Sequence, residues 1–101
     1  MPIIVTEFPF ILPIGYRDAD GHLHKEGTMR PATAADEIFP LKDHRVQRNP
    51  AYLPIIVLAR VITRLGTLEM INTEIIEDLC QQDYNHLLDL YNEKNGTVLG
   101  G

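Results

Sequence analysis

The first third of the chain alternates. Phe8, Phe10 and Leu12 are spaced by two, with Pro9, Ile11 and Pro13 between them. That period and the aromatic content predict a strand. The prolines cannot donate to a ladder, which pushes the strand to a sheet edge. Tyr16-Arg17-Asp18-Ala19-Asp20-Gly21 is turn chemistry, because Asp and Gly tolerate the backbone angles a turn needs. Residues His22 to Met29 can then return as a second strand. A lone hairpin is marginal in water, so this one must pack on helices or pair with another chain.

Beyond residue 32 the periodicity becomes helical. Thr33 followed by Asp36 approximates a capping box, so a short helix is expected near 33–39, limited by Pro40. Lys42 to Arg48 reads as a polar, basic connector. Asn49-Pro50 is a strong helix start, since Asn caps and Pro at the first position loses no hydrogen bond. Pro54 offers an alternative start, and the pattern does not choose between the two. The helix is expected to reach Leu65, with Gly66 as its left-handed terminator. Leu53, Ile55, Ile56, Val57, Leu58, Ala59, Val61 and Ile62 cover nearly its whole circumference. Such a helix is buried on all sides or lies in an interface. Asn72 and Thr73 cap a further helix near 72–81, and Asp83 a last one near 83–95 that Asn95-Gly96 ends.

The predicted class is therefore α+β: an N-terminal β-hairpin, a short helix and three longer helices packed as a small bundle. With 101 residues, one domain is expected over 1–101, comprising a hairpin region 1–31, a helical region 33–95 and a loose tail 97–101. A chain of this size buries roughly two thirds of its surface on folding, so a core forms without staples.

Composition narrows function mainly by exclusion. The net charge is −5, which argues against general binding to nucleic acid or anionic membranes. The single Cys allows no intrachain disulfide and fits a reducing compartment. The absence of Ser excludes a serine nucleophile. Met1 to Leu12 lacks a basic start and carries Glu7 and prolines, so no signal peptide is expected. The apolar stretch from Pro50 to Ala59 is too short to span a bilayer. A cytoplasmic protein is expected. Charge is uneven: Lys42 to Arg64 has five basic residues against one acidic, a net of +4, while Thr67 to Gly101 nets −6. Either the two stretches face each other within the fold, or they supply the polar rim of an apolar docking face.

Candidate chemistry is thin. His22 and His24 would share one side of a strand and could ligate a metal with His44 or a carboxylate, but nothing fixes a fourth ligand. Both on the exposed hairpin face is the expected arrangement. Asp18-Ala19-Asp20-Gly21 resembles the start of a calcium loop, yet Tyr16 and Gly27 stand where that loop needs Asp and Glu. Cys80 lies among Ile75, Ile76 and Leu79 and reads as a core thiol. A Cys80–His86 nucleophilic pair would lack a third group. The isolated glycines form no phosphate loop. No catalytic residue, metal site or cofactor is predicted.

Two segments carry a family resemblance. The first runs Phe10-Ile11-Leu12-Pro13-Ile14-Gly15-Tyr16-Arg17-Asp18-Ala19-Asp20-Gly21-His22-Leu23-His24-Lys25-Glu26-Gly27-Thr28-Met29-Arg30, continued by Ala32-Thr33-Ala34-Ala35-Asp36-Glu37. The second runs Arg45-Val46-Gln47-Arg48-Asn49-Pro50-Ala51-Tyr52-Leu53, then Leu58-Ala59-Arg60-Val61-Ile62-Thr63-Arg64-Leu65-Gly66. Their order, over residues 8 to 95, resembles the small tail assembly proteins of tailed phages, prophages and phage-tail-like contractile systems. The resemblance implies a non-enzymatic tail assembly chaperone of the bacterial host cytoplasm, holding the tape-measure protein soluble. It carries no catalytic residues. The expected partner-binding residues are Tyr52 as aromatic anchor, Leu53 and Ile56 on the central helix, and Arg48, Arg60 and Arg64 at the rim. A structural subunit of a tail or baseplate is the alternative, joined to its neighbours by strand addition at the hairpin edge. A metal-dependent enzyme would need both His22 and His24. A homo-oligomer fits the first two readings.

Overall fold

A computed structural model describes residues 7–96 and Leu99. The chain is α+β, with a three-stranded antiparallel sheet and five α-helices among the described residues. In order these are β1 (Phe8–Arg17), β2 (Leu23–Met29), α1 (Ala34–Ile38), α2 (His44–Arg48), α3 (Leu53–Val61), β3 (Ile62–Leu65), α4 (Thr73–Glu77) and α5 (Gln81–Asn95). The tail expected to be loose falls outside the described residues, except Leu99. That residue is buried, and both its N–H and C=O are held by the Asn92 side chain.

The hairpin forms where the alternation places it. Asp18 Oδ1 accepts the backbone N–H of Asp20 and of His22, both at 2.9 Å, which closes the turn. The strand order β1-β2-β3 puts the proline-bearing strand at an edge. Between the Ile11–Glu26 and Tyr16–His24 pairs, residues 12–15 of β1 oppose Lys25 alone. This is a wide bulge, and its freed amides need partners. Asp83, fully buried in the first turn of α5, supplies them: its two carboxylate oxygens accept Ile14 N–H at 2.8 Å and Gly15 N–H at 2.9 Å. Asp83 is therefore not the cap expected from the sequence. Cys80 occupies the cap position, and α5 begins two residues earlier. Asp83→Asn keeps the shape but loses the charge and one acceptor. It should cost about 1.5 kcal/mol, read as an earlier urea midpoint with an unchanged slope.

The central apolar segment departs most from expectation. The choice between Pro50 and Pro54 resolves as both. Asn49 caps a 3-10 turn over Pro50–Tyr52, and α3 restarts at Leu53 with Pro54 in its first turn, where no intrahelical N–H is required. The helix stops at Val61 rather than Leu65, and Ile62–Leu65 becomes β3, paired antiparallel to β2. The run Val61-Ile62-Thr63 is β-branched, which suits a pleated half-buried surface. The Val61 carbonyl leaves the helix pattern to accept Arg30 N–H at 2.9 Å. The hairpin is thus not lone. Gly27 makes the three strands possible by its size, for a Cβ there would collide with the Arg64 carbonyl and the Phe10 ring.

The inner sheet face, Phe10, Leu12, Met29, Ile62 and Leu65, packs on Val57, Leu58 and Val61 of α3, on Ile76 and Leu79, and on Leu87 and Tyr91 of α5. Burial, with help from Glu37, pushes the Tyr91 phenol up to about 12. Only α3 and α5 exceed five residues, in place of the three longer helices expected, and the presumed connector contains α2. The central segment's apolar side chains are enclosed by their own chain. Val57, Leu58 and Val61 have no solvent exposure, and Leu53, Ile55 and Ala59 lie half-buried against the core. Its apolar girth is mostly spent on the core, and only Leu53, Ile55 and Ala59 keep part of their surface open.

Candidate docking surface

One run of exposed apolar side chains lies elsewhere, at the end of α1 and just after it, while Ile11, Ile14 and Leu23 on the hairpin and Met70 are exposed as well. Thr33 and Asp36 form the expected capping box: Thr33 N–H and hydroxyl both donate to Asp36 Oδ2, at 2.8 and 3.2 Å. Asp36 does more than cap. It is 1% exposed and accepts a two-pronged Arg30 guanidinium at 2.7 and 2.8 Å, plus Arg60 Nε at 3.1 Å. The Arg30 contact is the main cause holding its carboxyl far below the ordinary carboxylate range, against the opposing effect of burial. This knot ties the end of β2, the start of α1 and the last turn of α3 together.

With α1 fixed, Pro40 tucks into the protein at the start of a 3-10 turn, Phe39–Lys42. Its apolar neighbours cannot follow. Ile38, Phe39 and Leu41 are 55%, 52% and 53% exposed. Lys42 Nζ sits 5.2 Å and Arg60 Cζ 5.6 Å from the Phe39 ring centre, within cation–π range. A hollow of about 320 Å³ lies beside the ring, lined by Phe39, Pro40, Lys42, Asp43, Ile56 and Arg60. Asp43 is held at about 2 by the Arg45 guanidinium, which pairs with it at 2.9 Å.

The residues expected to bind a partner scatter around this hollow. Ile56 forms its floor but is itself buried, so it shapes the surface without offering area. Arg60 forms a wall. Leu53 is half-buried against the core and does not project as a free anchor. Tyr52 is half-buried beneath Arg45, whose Cζ lies 5.1 Å from its ring. Its phenol is raised by the hydrogen-bonding Glu77 carboxylate. Arg48 is exposed at the end of α2. Arg64 stands apart on β3, beside a groove of about 560 Å³ shared with Ile11, Leu23 and Lys25. Sequence reasoning missed Ile38, Phe39, Leu41 and Lys42. The available signal was Ile38-Phe39-Pro40-Leu41 itself, an apolar run too short for an element and broken by a proline.

The histidines do not share a face. His22 is exposed in the turn, whereas His24 is 5% exposed. Thr67 N–H donates to His24 Nδ1 at 3.3 Å, so Nδ1 accepts and Nε2 carries the proton toward Asp18 Oδ2 at 2.8 Å. That bond is the leading cause of the lowered Asp18 pKa. Both His24 nitrogens are spent on holding loops together. Asp18, Asp20 and His22 do lie close enough to share a cation. Asp18, however, already accepts from Asp20 N, His22 N and His24 Nε2, leaving little capacity for a ligand role. Cys80, read as a core thiol, is exposed. No ion pair among the described residues joins the basic stretch 42–64 to the acidic stretch beyond 67. Arg45 pairs locally with Asp43 and Arg60 with Asp36 of α1, while Lys42, Arg48 and Arg64 form no ion pair among the described residues.

In comparisons with known proteins, no family model, curated protein or solved structure matches the chain. No helix among the described residues is long and apolar enough to cross a membrane.

Proposed function

We propose that this chain is a non-enzymatic phage tail assembly protein, a chaperone that covers apolar surface on a helical partner such as the tape-measure protein. The observation that carries the reading is the exposed Ile38-Phe39-Leu41 cluster with two cations on its aromatic ring. Aromatic and arginine side chains around a hollow are the usual anchors of protein interfaces. A contact that buries a few hundred Å² of apolar surface, at about 25 cal/mol per Å², is worth several kcal/mol before ordering costs. The tail assembly identity rests on the sequence resemblance. The docking chemistry rests on this patch, which replaces the central helix as the physical basis. The host cytoplasm is the setting the resemblance implies.

The alternative, a structural subunit joined by strand addition, has less support at β1. Pro9 and Pro13 offer no N–H there, and Asp83 already takes those of Ile14 and Gly15. A metal-dependent enzyme would need His24, whose nitrogens are engaged. The test is co-expression with the tape-measure protein. Its soluble yield should drop severalfold with Phe39→Glu while the variant itself stays folded. Equal solubility with no chaperone at all would end the proposal.

A further inference from the structure

The cations beside Phe39 outnumber the carboxylates that answer them. Arg30 and Arg60 share the single carboxylate of Asp36, at 2.7 and 3.1 Å. The Asp36 side chain is 1% exposed, whereas the two guanidinium side chains keep 33% and 37% of their surface in water. Two positive charges on one hidden negative charge leave a surplus of one. Lys42 is exposed and forms no ion pair among the described residues, which adds a second. Asp43, the carboxylate that lines the hollow, is already met by Arg45 at 2.9 Å. The hollow is thus a cationic opening on a chain whose net charge is −5. Arg60 is also held in place: its Nε donates to Asp36, and its Cζ lies 5.6 Å from the Phe39 ring centre. Its two terminal nitrogens donate no hydrogen bond among the described residues. Together they are a fork that matches a carboxylate. Ordering that fork on binding costs little, because Asp36 has already fixed the side chain.

We propose that the segment docked at the Phe39 patch is an acidic amphipathic helix of the partner. Its apolar stripe covers Ile38, Phe39 and Leu41. A glutamate or aspartate one turn away enters the hollow, where the terminal nitrogens of Arg60 take the carboxylate and Lys42 adds a second positive charge. Residues three and four apart share one helix face, so a single helix supplies both contacts. A carboxylate suits the hollow better than a phosphate, since Asp43 stands at its wall and repels a second negative charge. The negative balance of the whole chain also opposes a polyanion. The inference rests on the reading of the Phe39 patch as the docking surface for a helical partner, and it adds the charge that partner must carry.

The experiment titrates the full chain into labelled helical peptides and follows fluorescence anisotropy. The peptides share one leucine stripe on an alanine backbone, flanked by glutamate in one, glutamine in the second and lysine in the third. The glutamate peptide should bind, weakened by added salt. The glutamine peptide should bind about tenfold more weakly, and the lysine peptide more weakly still. Arg60→Lys keeps a cation for Asp36 but lacks the fork, so it should lose about tenfold for the glutamate peptide. K42E changes an exposed side chain outside the Asp36 network. It should stay folded, weaken the glutamate peptide and strengthen the lysine peptide, and it decides the matter if Arg60→Lys does not fold. Equal binding of the glutamate and glutamine peptides overturns the inference, as does no binding of either or an unchanged preference in K42E. Tighter binding of a short DNA duplex at the same residues also overturns it, in favour of a phosphate site. If Phe39→Glu abolishes tape-measure solubility while K42E and Arg60→Lys leave it intact, the inference falls and the chaperone function stands. If the peptides follow the expected order but the tape-measure protein needs no help, the inference stands and the chaperone function falls.

Discussion

Asp36→Asn should destabilise the protein by about 3 kcal/mol, lowering the melting temperature by roughly 15 °C. The substitution keeps the side chain's shape but removes the negative charge. Arg30 and Arg60 then point at a neutral amide, and only one oxygen remains for five donated bonds. Breaking a buried pair by removing one partner costs about 3–5 kcal/mol. The lower end applies because Arg30 and Arg60 keep about a third of their surface in water. The same carboxylate gives the protein an acid limb. Its folded pKa is depressed, so its contribution is complete above the unfolded value near about 4. The contribution declines as pH falls below that value toward the folded pKa. Denaturant midpoints of the native chain should be flat at mildly acidic pH and fall below about pH 4. In Asp36→Asn that fall should be shallower, and an equally steep limb would show that other carboxylates dominate it.

How much of this was legible in the sequence divides along the reach of each interaction. The hairpin, its turn, the Thr33–Asp36 box and the Asn49 cap all formed as expected, because each is decided by neighbours within a few residues. What failed was decided at long range. Ile62 to Leu65 carry helix-compatible spacing, and only the vacant edge of β2, more than thirty residues earlier, makes them a strand. Asp83 looks like a helix cap until the β1 bulge presents two amides that nothing else can satisfy. Asp36 is locally a capping residue, and its burial follows from Arg30 and Arg60 converging on it from other elements. The candidate site was half legible. Arg60 was read as a rim residue and does line the hollow. Phe39 falls at the end of the short helix expected near 33–39, where nothing local marks it as exposed, and the packing that leaves it outside is tertiary. The central helix was over-read, since girth alone cannot distinguish a shared interface from a helix wrapped by a sheet and two other helices.

Gly66→Ala should match Asp36→Asn in cost, at about 3 kcal/mol. Gly66 was expected to end a helix in the left-handed conformation. The conformation is there, at φ +57°, but the preceding element is β3. The local angle and the residue that provides it agree, while the reason is different. The chain turns sharply after β3 so that Thr67 can donate to His24 and Gly66 N–H can reach the Glu26 carbonyl at 2.6 Å. A methyl group on residue 66 carries the usual left-handed penalty of about 1–2 kcal/mol. It would also overlap the His24 ring at Nδ1, Cβ and Cγ. His24 is buried and cannot swing clear without releasing Thr67 and Asp18, each bond worth about 1 kcal/mol. Two readouts separate these effects. Chemical denaturation gives the total cost, and the histidine ring signals in NMR report whether His24 has left Asp18. His24→Ala in the Gly66→Ala background should remove the overlap and recover part of the loss, so the double variant should be less destabilised than the sum of the singles. Strict additivity would mean that the backbone angle, and not the histidine, sets the requirement for glycine at this position.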